Sequence, residues 1–177
     1  MNELDTSLQR VLWTAGPEPT KPTWEGLHDQ VMGGRSQGSA QPKPGDGVEP
    51  DHVLFSGQIS RDNGGGFASF RLCLPVPVVM GQAHAAVLML RGDGGPFKLC
   101  LHRQNDWDGV QWQADLATSV HWATQELLLS AFVARRRGRE VRERPLSPEN
   151  VLFQIGLMTT RPDTGPFWLA VARIALR

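Results

Sequence analysis

The sequence has no tyrosine, only two cysteines, and no surplus of charge of either sign. Without Tyr, the large aromatic positions fall to 7 Phe and 6 Trp. Two cysteines, Cys73 and Cys100, cannot build a disulfide framework, and a chain of 177 residues can bury a core without one. They are read as reduced, packed thiols, with a Cys73–Cys100 bridge left open only if their strands pair. The 18 basic and 18 acidic residues cancel. A neutral chain has no global attraction for nucleic acid or an anionic membrane, so such binding would need a local patch. No run of about 18 apolar residues exists, which excludes a membrane-spanning helix. The first twenty residues lack the apolar centre of a signal peptide and carry Glu3, Asp5 and Glu18 against Arg10, unlike a transit peptide. The expectation is a cytoplasmic protein of a bacterium.

What is present is glycine in clusters. One segment runs Asp29-Gln30-Val31-Met32-Gly33-Gly34-Arg35-Ser36-Gln37-Gly38 and another Asn63-Gly64-Gly65-Gly66-Phe67-Ala68-Ser69-Phe70-Arg71. Glycine is costly to order, so such clusters beside large side chains predict fixed backbone shapes. Leu4, Leu8, Val11 and Leu12 recur at helical spacing and predict one short amphipathic N-terminal helix. Gly16, Pro17, Pro19 and Pro22 then form an extended connector, which divides the chain into 1–22 and a domain over 23–177. Residues 41–51, rich in Pro and Gly, predict an exposed loop. From residue 53 onward, short alternating runs predict strands: 53–60, 67–74, 85–91, 96–103, 110–116, 125–129, 151–159 and 167–176. The last is apolar on both faces, as for a central strand. Eight short strands between turn residues argue for an all-β antiparallel sandwich or barrel.

These residues resemble the family named for complex I intermediate-associated protein 30. The likeness rests on Trp24, on Asp29 to Gly38, on Phe55-Ser56-Gly57, and on Gly65 to Arg71. Weaker echoes are Arg91-Gly92-Asp93-Gly94, Trp122, Arg137-Gly138-Arg139, Ile155-Gly156 and Gly165-Pro166-Phe167. His28 stands where the family has Asn, and Gly64 replaces the second Asn of its Asn-Asn-Gly-Gly. The resemblance implies a jelly-roll β-sandwich similar to galactose-binding domains. It also implies a non-enzymatic assembly factor that binds a protein partner during biogenesis of a membrane-associated respiratory or photosynthetic complex. The alternative is a carbohydrate- or small-ligand-binding module.

Candidate residues fall in two groups. Asp29, Gly33, Gly34, Ser36, Asn63, Gly65 and Gly66 form a motif-loop cluster. It is either a ligand site or a lock in which Asp29 and Asn63 accept backbone N–H bonds. Arg71 is expected to pair with Asp29 or Asp93, or to face a partner. The partner-binding candidates are Met32, Arg35, Trp107, Arg135, Arg136, Arg137 and Arg139. Met32 is a contact knob or a core plug. The run from Arg135, extended by Arg142 and Arg144, is a solvated loop or a docking patch for an acidic protein or membrane face, with no interleaved aromatics for nucleic acid. Trp107 is an exposed anchor or folds back on the sandwich, whereas Trp24, Trp112, Trp122 and Trp168 are expected in the core. No motif for catalysis, phosphate binding or a cofactor is present. Cys100 and His102 share one strand face, but zinc needs further ligands. Asp62 and Asp93 could join a structural calcium site by analogy with other jelly rolls.

Overall fold

A computed structural model describes residues 9–17, 22–29, 33–106 and 108–177. The described residues form thirteen strands in two antiparallel sheets. They are β1 (Arg10–Thr14), β2 (Glu25–His28), β3 (Gln37–Lys43), β4 (His52–Ile59), β5 (Phe67–Val79), β6 (Ala85–Gly92) and β7 (Phe97–His102). Then come β8 (Gln111–Leu116), β9 (Ala123–Leu128), β10 (Val133–Arg136), β11 (Arg139–Glu140), β12 (Val151–Thr160) and β13 (Gly165–Leu176). The first sheet has the order β3-β4-β13-β6-β9, with β1 beside the end of β13. The second has the order β11-β10-β8-β7-β12-β5-β2.

Period-2 patterning decides the faces. Phe55, Phe70, Leu72, Leu99, Leu101, Trp112, Ile155, Leu157, Leu169 and Ile174 point between the sheets and pack as one core. Phe70 meets Phe55 and Phe167, with ring centroids 5.0 and 6.4 Å apart. Strand β13 is central, paired with β4 and β1 on one side and β6 on the other, which explains its apolar character on both faces. All eight strands predicted from the alternation are present.

The predicted helix is not observed where the structure describes its residues. Val11 and Leu12 lie in β1, whose irregularity between Val11 and Trp13 lets both Leu12 and Trp13 enter the core. A free edge of β13 and the Val-Leu-Trp-Thr sequence favour pairing over helical spacing. Leu4 and Leu8 lie outside the described residues. The loop expected over residues 41–51 begins later, because β3 extends through Lys43. Pro42 is tolerated because β3 is an edge strand. Asp46 then closes the turn, accepting the N–H groups of Val48 and Glu49 at 2.9 and 2.8 Å.

Of the tryptophans expected in the core, Trp112 is there, 3% exposed. Trp24 packs against the core edge-on to Trp13 and Phe55. Trp122 and Trp168 lie outside the core, on the outer face of the first sheet. The Arg91 guanidinium lies 5.1 Å from the Trp122 ring and 5.9 Å from the Trp168 ring. A charged group held there by Glu49 at 2.8 Å cannot sit between the sheets, so the two rings cover it outside.

Candidate functional site

The two glycine segments converge on one buried carboxylate. Asp29 follows β2, and its side chain is 1% exposed. It accepts the Ser36 N–H at 2.8 Å and the Ser36 hydroxyl at 2.5 Å from its own segment. From the other segment it accepts the Gly66 N–H at 2.8 Å and the Phe67 N–H at 3.4 Å. The Ser36 oxygen accepts the Ser60 N–H at 3.0 Å. A Cβ added at Gly34 would stand 2.3 Å from Asp29 Oδ1, and one at Gly65 2.5 Å from Oδ2. The glycines are there because the carboxylate leaves no room for a side chain. Desolvation acts to raise the Asp29 carboxyl, yet the Ser36 and backbone hydrogen bonds hold it below its ordinary range.

Asn63 behaves differently from the expectation. It donates through Nδ2 to the Gly33 carbonyl at 3.0 Å, and no accepted backbone N–H is seen among the described residues. Its backbone is left-handed, with φ of 54°, and so is that of Gly64, at 76°. His28 is accommodated by Gly38 O at 3.1 Å and by the edge of Phe70. Arg35 makes an exposed 3.7 Å contact with Asp62. Met32 lies outside the described residues.

Asp93 forms a second lock. It accepts Arg161 at 2.8 and 2.7 Å, the Gly95 N–H at 2.8 Å and the Trp168 N–H at 3.0 Å. Asp29 is thus committed to Ser36, Gly66 and Phe67, and Asp93 to Arg161, Gly95 and Trp168. With Asp62 facing Arg35, the calcium analogy has no joint site to rest on. Among the described residues, no three His, Cys, Asp or Glu converge as metal ligands.

Arg71 belongs to a different place, the outer face of the second sheet. Alternation puts Arg71 and Cys73 of β5, Gln154 and Gly156 of β12, Cys100 and His102 of β7 and Gln113 of β8 on that face. Register aligns Arg71 with Gly156, Gly156 with Cys100, and Cys100 with Gln113. Gln154 lies between Cys73 and His102. This row is polar and buried together: Gln154 is 1%, His102 2%, Gln113 4% and Arg71 8% exposed. Among the described residues, His102 Nε2, Gln113 Nε2 and Gln154 Oε1 are buried without a hydrogen-bond partner.

The connection from β7 to β8 folds back over this face. Asn105 accepts Gln154 Nε2 at 2.8 Å, and the Asp106 carbonyl accepts Arg71 Nη1 at 3.3 Å. On the far side, Asp108 accepts Arg137 Nε at 2.7 Å, and its carbonyl accepts Arg136 Nε at 3.0 Å. Trp107, between these anchors in sequence, lies outside the described residues. Burial lowers Arg71 from its ordinary value. Burial pushes the Cys100 thiol up to about 12 and His102 down to about 3, the latter also repelled by Arg71. At neutral pH neither is a nucleophile or an effective base. Cys73 is exposed and Cys100 buried, both free. Strand β12 separates their strands, which removes the condition for a bridge.

The arginine run is a hairpin, not an irregular loop. β10 and β11 pair Arg135 with Glu140 and Arg136 with Arg139. Arg137 and Gly138 turn with φ of 49° and 76°. Arg135 meets Glu140 at 3.7 Å, and Asp108 takes Arg136 and Arg137. Arg139 is exposed. The hairpin turn adjoins the His102 end of the sheet, whereas the Asp29 lock adjoins its Phe97 end. The motif loops and the arginines are therefore not one surface. Arg71 bonds the β7–β8 loop at Asp106, and Arg136 and Arg137 bond it at Asp108. Gln113 and Gln154, which the sequence pattern did not single out, stand on the outward side of β8 and β12, the two strands that flank β7.

Among curated proteins, none matches the chain. In fold it is similar to the family 11 carbohydrate-binding module from Clostridium thermocellum in complex with a β-1,3-1,4-mixed-linked tetrasaccharide. The TM-score is 0.67 and the identity 17%, over 95% of this chain and 94% of that one. It is also similar to a family 29 carbohydrate-binding module, with a TM-score of 0.53 and 9% identity, over 95% and 87% of the two chains. These likenesses show a jelly-roll sandwich. The model of one family matches residues 14–171, a span that holds both glycine segments, the Asp93 lock and the outer-face row. The chain belongs to the complex I intermediate-associated protein 30 (CIA30) family.

Proposed function

We propose that this protein is a non-enzymatic assembly factor that holds a protein partner during biogenesis of a membrane-associated respiratory or photosynthetic complex. The family supports the assembly role. The observation that carries the partner surface is the β7–β8 loop, braced by Arg71 on one side and by Arg136 and Arg137 on the other. A loop fixed in this way presents its residues at little ordering cost, which favours recognition. Arg135 and Arg139 of the adjoining hairpin extend the same end of the sheet with positive charge, suited to an acidic partner or an anionic membrane face. A cytoplasmic protein, peripheral at a membrane, is consistent with this. The buried Cys100 and His102 supply no reactive pair.

Crosslinking in native cells tests it. The intact protein is expected to capture a subunit or assembly intermediate of such a complex. A variant carrying R135E, R136E and R137E is expected to lose most of that capture. If no subunit of a respiratory or photosynthetic complex is enriched, the reading fails.

A second reading, a carbohydrate- or small-ligand-binding module, is supported by the buried polar row and by the similar folds. Tryptophan fluorescence against a glycan panel tests it, and a flat response across the panel counts against it.

A further inference from the structure

We infer that one end of the sandwich docks flat on an anionic phospholipid bilayer, through exposed aliphatic side chains and the arginines that follow β10. This rests on the membrane-associated part of the assembly reading above and gives it a surface.

The strands fix which residues share this end. In the first sheet β9 and β13 finish there, at Leu128 and Leu176, and β1 starts there at Arg10. Register sets them side by side: Leu128 opposite Ala85, Ala86 opposite Leu176, and Leu176 opposite Arg10. In the second sheet β5 finishes there at Val79, opposite Val151, and Arg135 is opposite Gln111, which is opposite His102. Arg10 Nη1 donates to the Val79 carbonyl and ties the two sheets together. The return from β11 to β12 runs along the same end. The Met80 and Gly81 N–H groups hold it, donating to the Asn150 and Pro148 carbonyls at 2.8 and 2.9 Å.

Among the described residues seven large aliphatic side chains are exposed, and four of them are at this end. Val11, Val76, Val79 and Leu128 are 46%, 70%, 50% and 54% exposed. Single exposed valines are ordinary, but a set confined to one end marks a contact.

The same end is cationic. From Arg135 to Arg144 the chain carries six arginines against Glu140 and Glu143. Glu140 meets Arg135, Glu143 meets Arg103 at 3.5 Å, and Asp108 is shared by Arg136 and Arg137. Arg139 and Arg142 are exposed and have no ion-pair partner among the described residues. An open cavity of about 580 Å³ is lined by Arg10, Met80, Gln82, His84, Leu176 and Arg177. Glu126 holds Arg177 Nη1 at 2.9 Å, and the Val79 carbonyl holds Arg10. Each guanidinium keeps further N–H donors, a geometry suited to a phosphate group, with Met80 and Leu176 as the apolar side.

A bilayer fits this end better than a folded acidic protein. From β10 to β5 the second sheet alone spans four strand steps, about 19 Å. The contacts are scattered over that width and over both sheets, as a flat surface requires. The apolar members are valine and leucine, which seldom anchor protein interfaces but do enter the lipid boundary beside arginines.

Vesicle co-sedimentation of the full chain tests this, with phosphatidylcholine vesicles and with vesicles holding about one third phosphatidylglycerol. The proteins are the wild type, R139E/R142E and V76S/V79S. Both variants change exposed side chains, so folding is expected to be unaffected. The wild type is expected to bind the anionic vesicles alone, and to be released at about 0.5 M salt. R139E/R142E is expected to bind about tenfold more weakly or less, and V76S/V79S several-fold more weakly. Docking is overturned by no binding to anionic vesicles, by equal binding to neutral ones, or by both variants binding as the wild type does. Capture of a complex subunit by crosslinking without vesicle binding overturns the bilayer and leaves the assembly reading standing. Vesicle binding without subunit capture does the reverse.

Discussion

At the residue scale, Asp29 ties the two glycine segments together. It gathers donors from two segments, reaching from its own position to Gly66, 37 residues on. Replacing it with alanine leaves the Ser36 and Gly66 N–H groups buried and unmatched, and leaves the Ser36 hydroxyl only its longer bond to the Ser60 carbonyl. At roughly 1–3 kcal/mol for each such orphan, Asp29→Ala is expected to destabilise the fold by about 3 kcal/mol or more. Urea unfolding measures it, and a loss under about 1 kcal/mol would show that the segments are held by something else. Gly34→Ala should be damaging for the reciprocal reason, since its methyl would stand 2.3 Å from Asp29 Oδ1. The short polar residues among the glycines made this lock readable from the sequence. The direction of the Asn63 bond was not readable, because an amide side chain can donate or accept equally well. Nor was the partner of Asp93, since Arg161 is 68 residues away.

At the scale of the element, burial sorts the two cysteines. Both lie on the outer face of the second sheet, yet Cys100 is 2% exposed and Cys73 is open. Burial holds the Cys100 thiol protonated, pushed up to about 12. Iodoacetamide on the native protein at pH 8 is therefore expected to alkylate Cys73 alone, with Cys100 reacting only in denaturant. Mass spectrometry of the native digest reads this, and modification of both residues at equal rates would contradict the covered face. The longer interior strands were legible, because an alternation needs several turns of its period to stand out. The short or edge strands β1, β2, β3, β10 and β11 were not. β10 and β11 are dominated by arginine, and only their pairing with β8 and the Arg137-Gly138 turn makes them strands. Outer-face polarity carries a related lesson. Gln113 and Gln154 were not legible as buried, because a sheet face open to water looks the same, in sequence, as one covered by its own loop.

At the scale of the whole molecule, the covered face should make stability depend on pH in a window set by one histidine. Burial lowers His102 from 6.5 to about 3 in the folded state. The unfolded chain then binds a proton that the folded chain refuses, at every pH between those values. Stability therefore rises with pH through this window, and the contribution is lost as pH falls below about 6.5. Each unit costs at most about 1.4 kcal/mol, so about 2.7 kcal/mol is gone by pH 4.5. Asp29 works in the same sense but lower. Its folded carboxyl is held below the usual value of 3.8, so its stabilisation is present above that value and fails only as pH drops through the depressed one. The interval from about pH 6.5 to about pH 4.5 thus isolates His102 from the carboxylate lock. Urea midpoints across it are expected to fall for the wild type and to stay nearly level for His102→Phe. Parallel slopes for the two proteins would mean that the imidazole takes up its proton in place, and that the loop over the second sheet opens to water far more readily than its anchors at Gln154, Arg71, Arg136 and Arg137 imply.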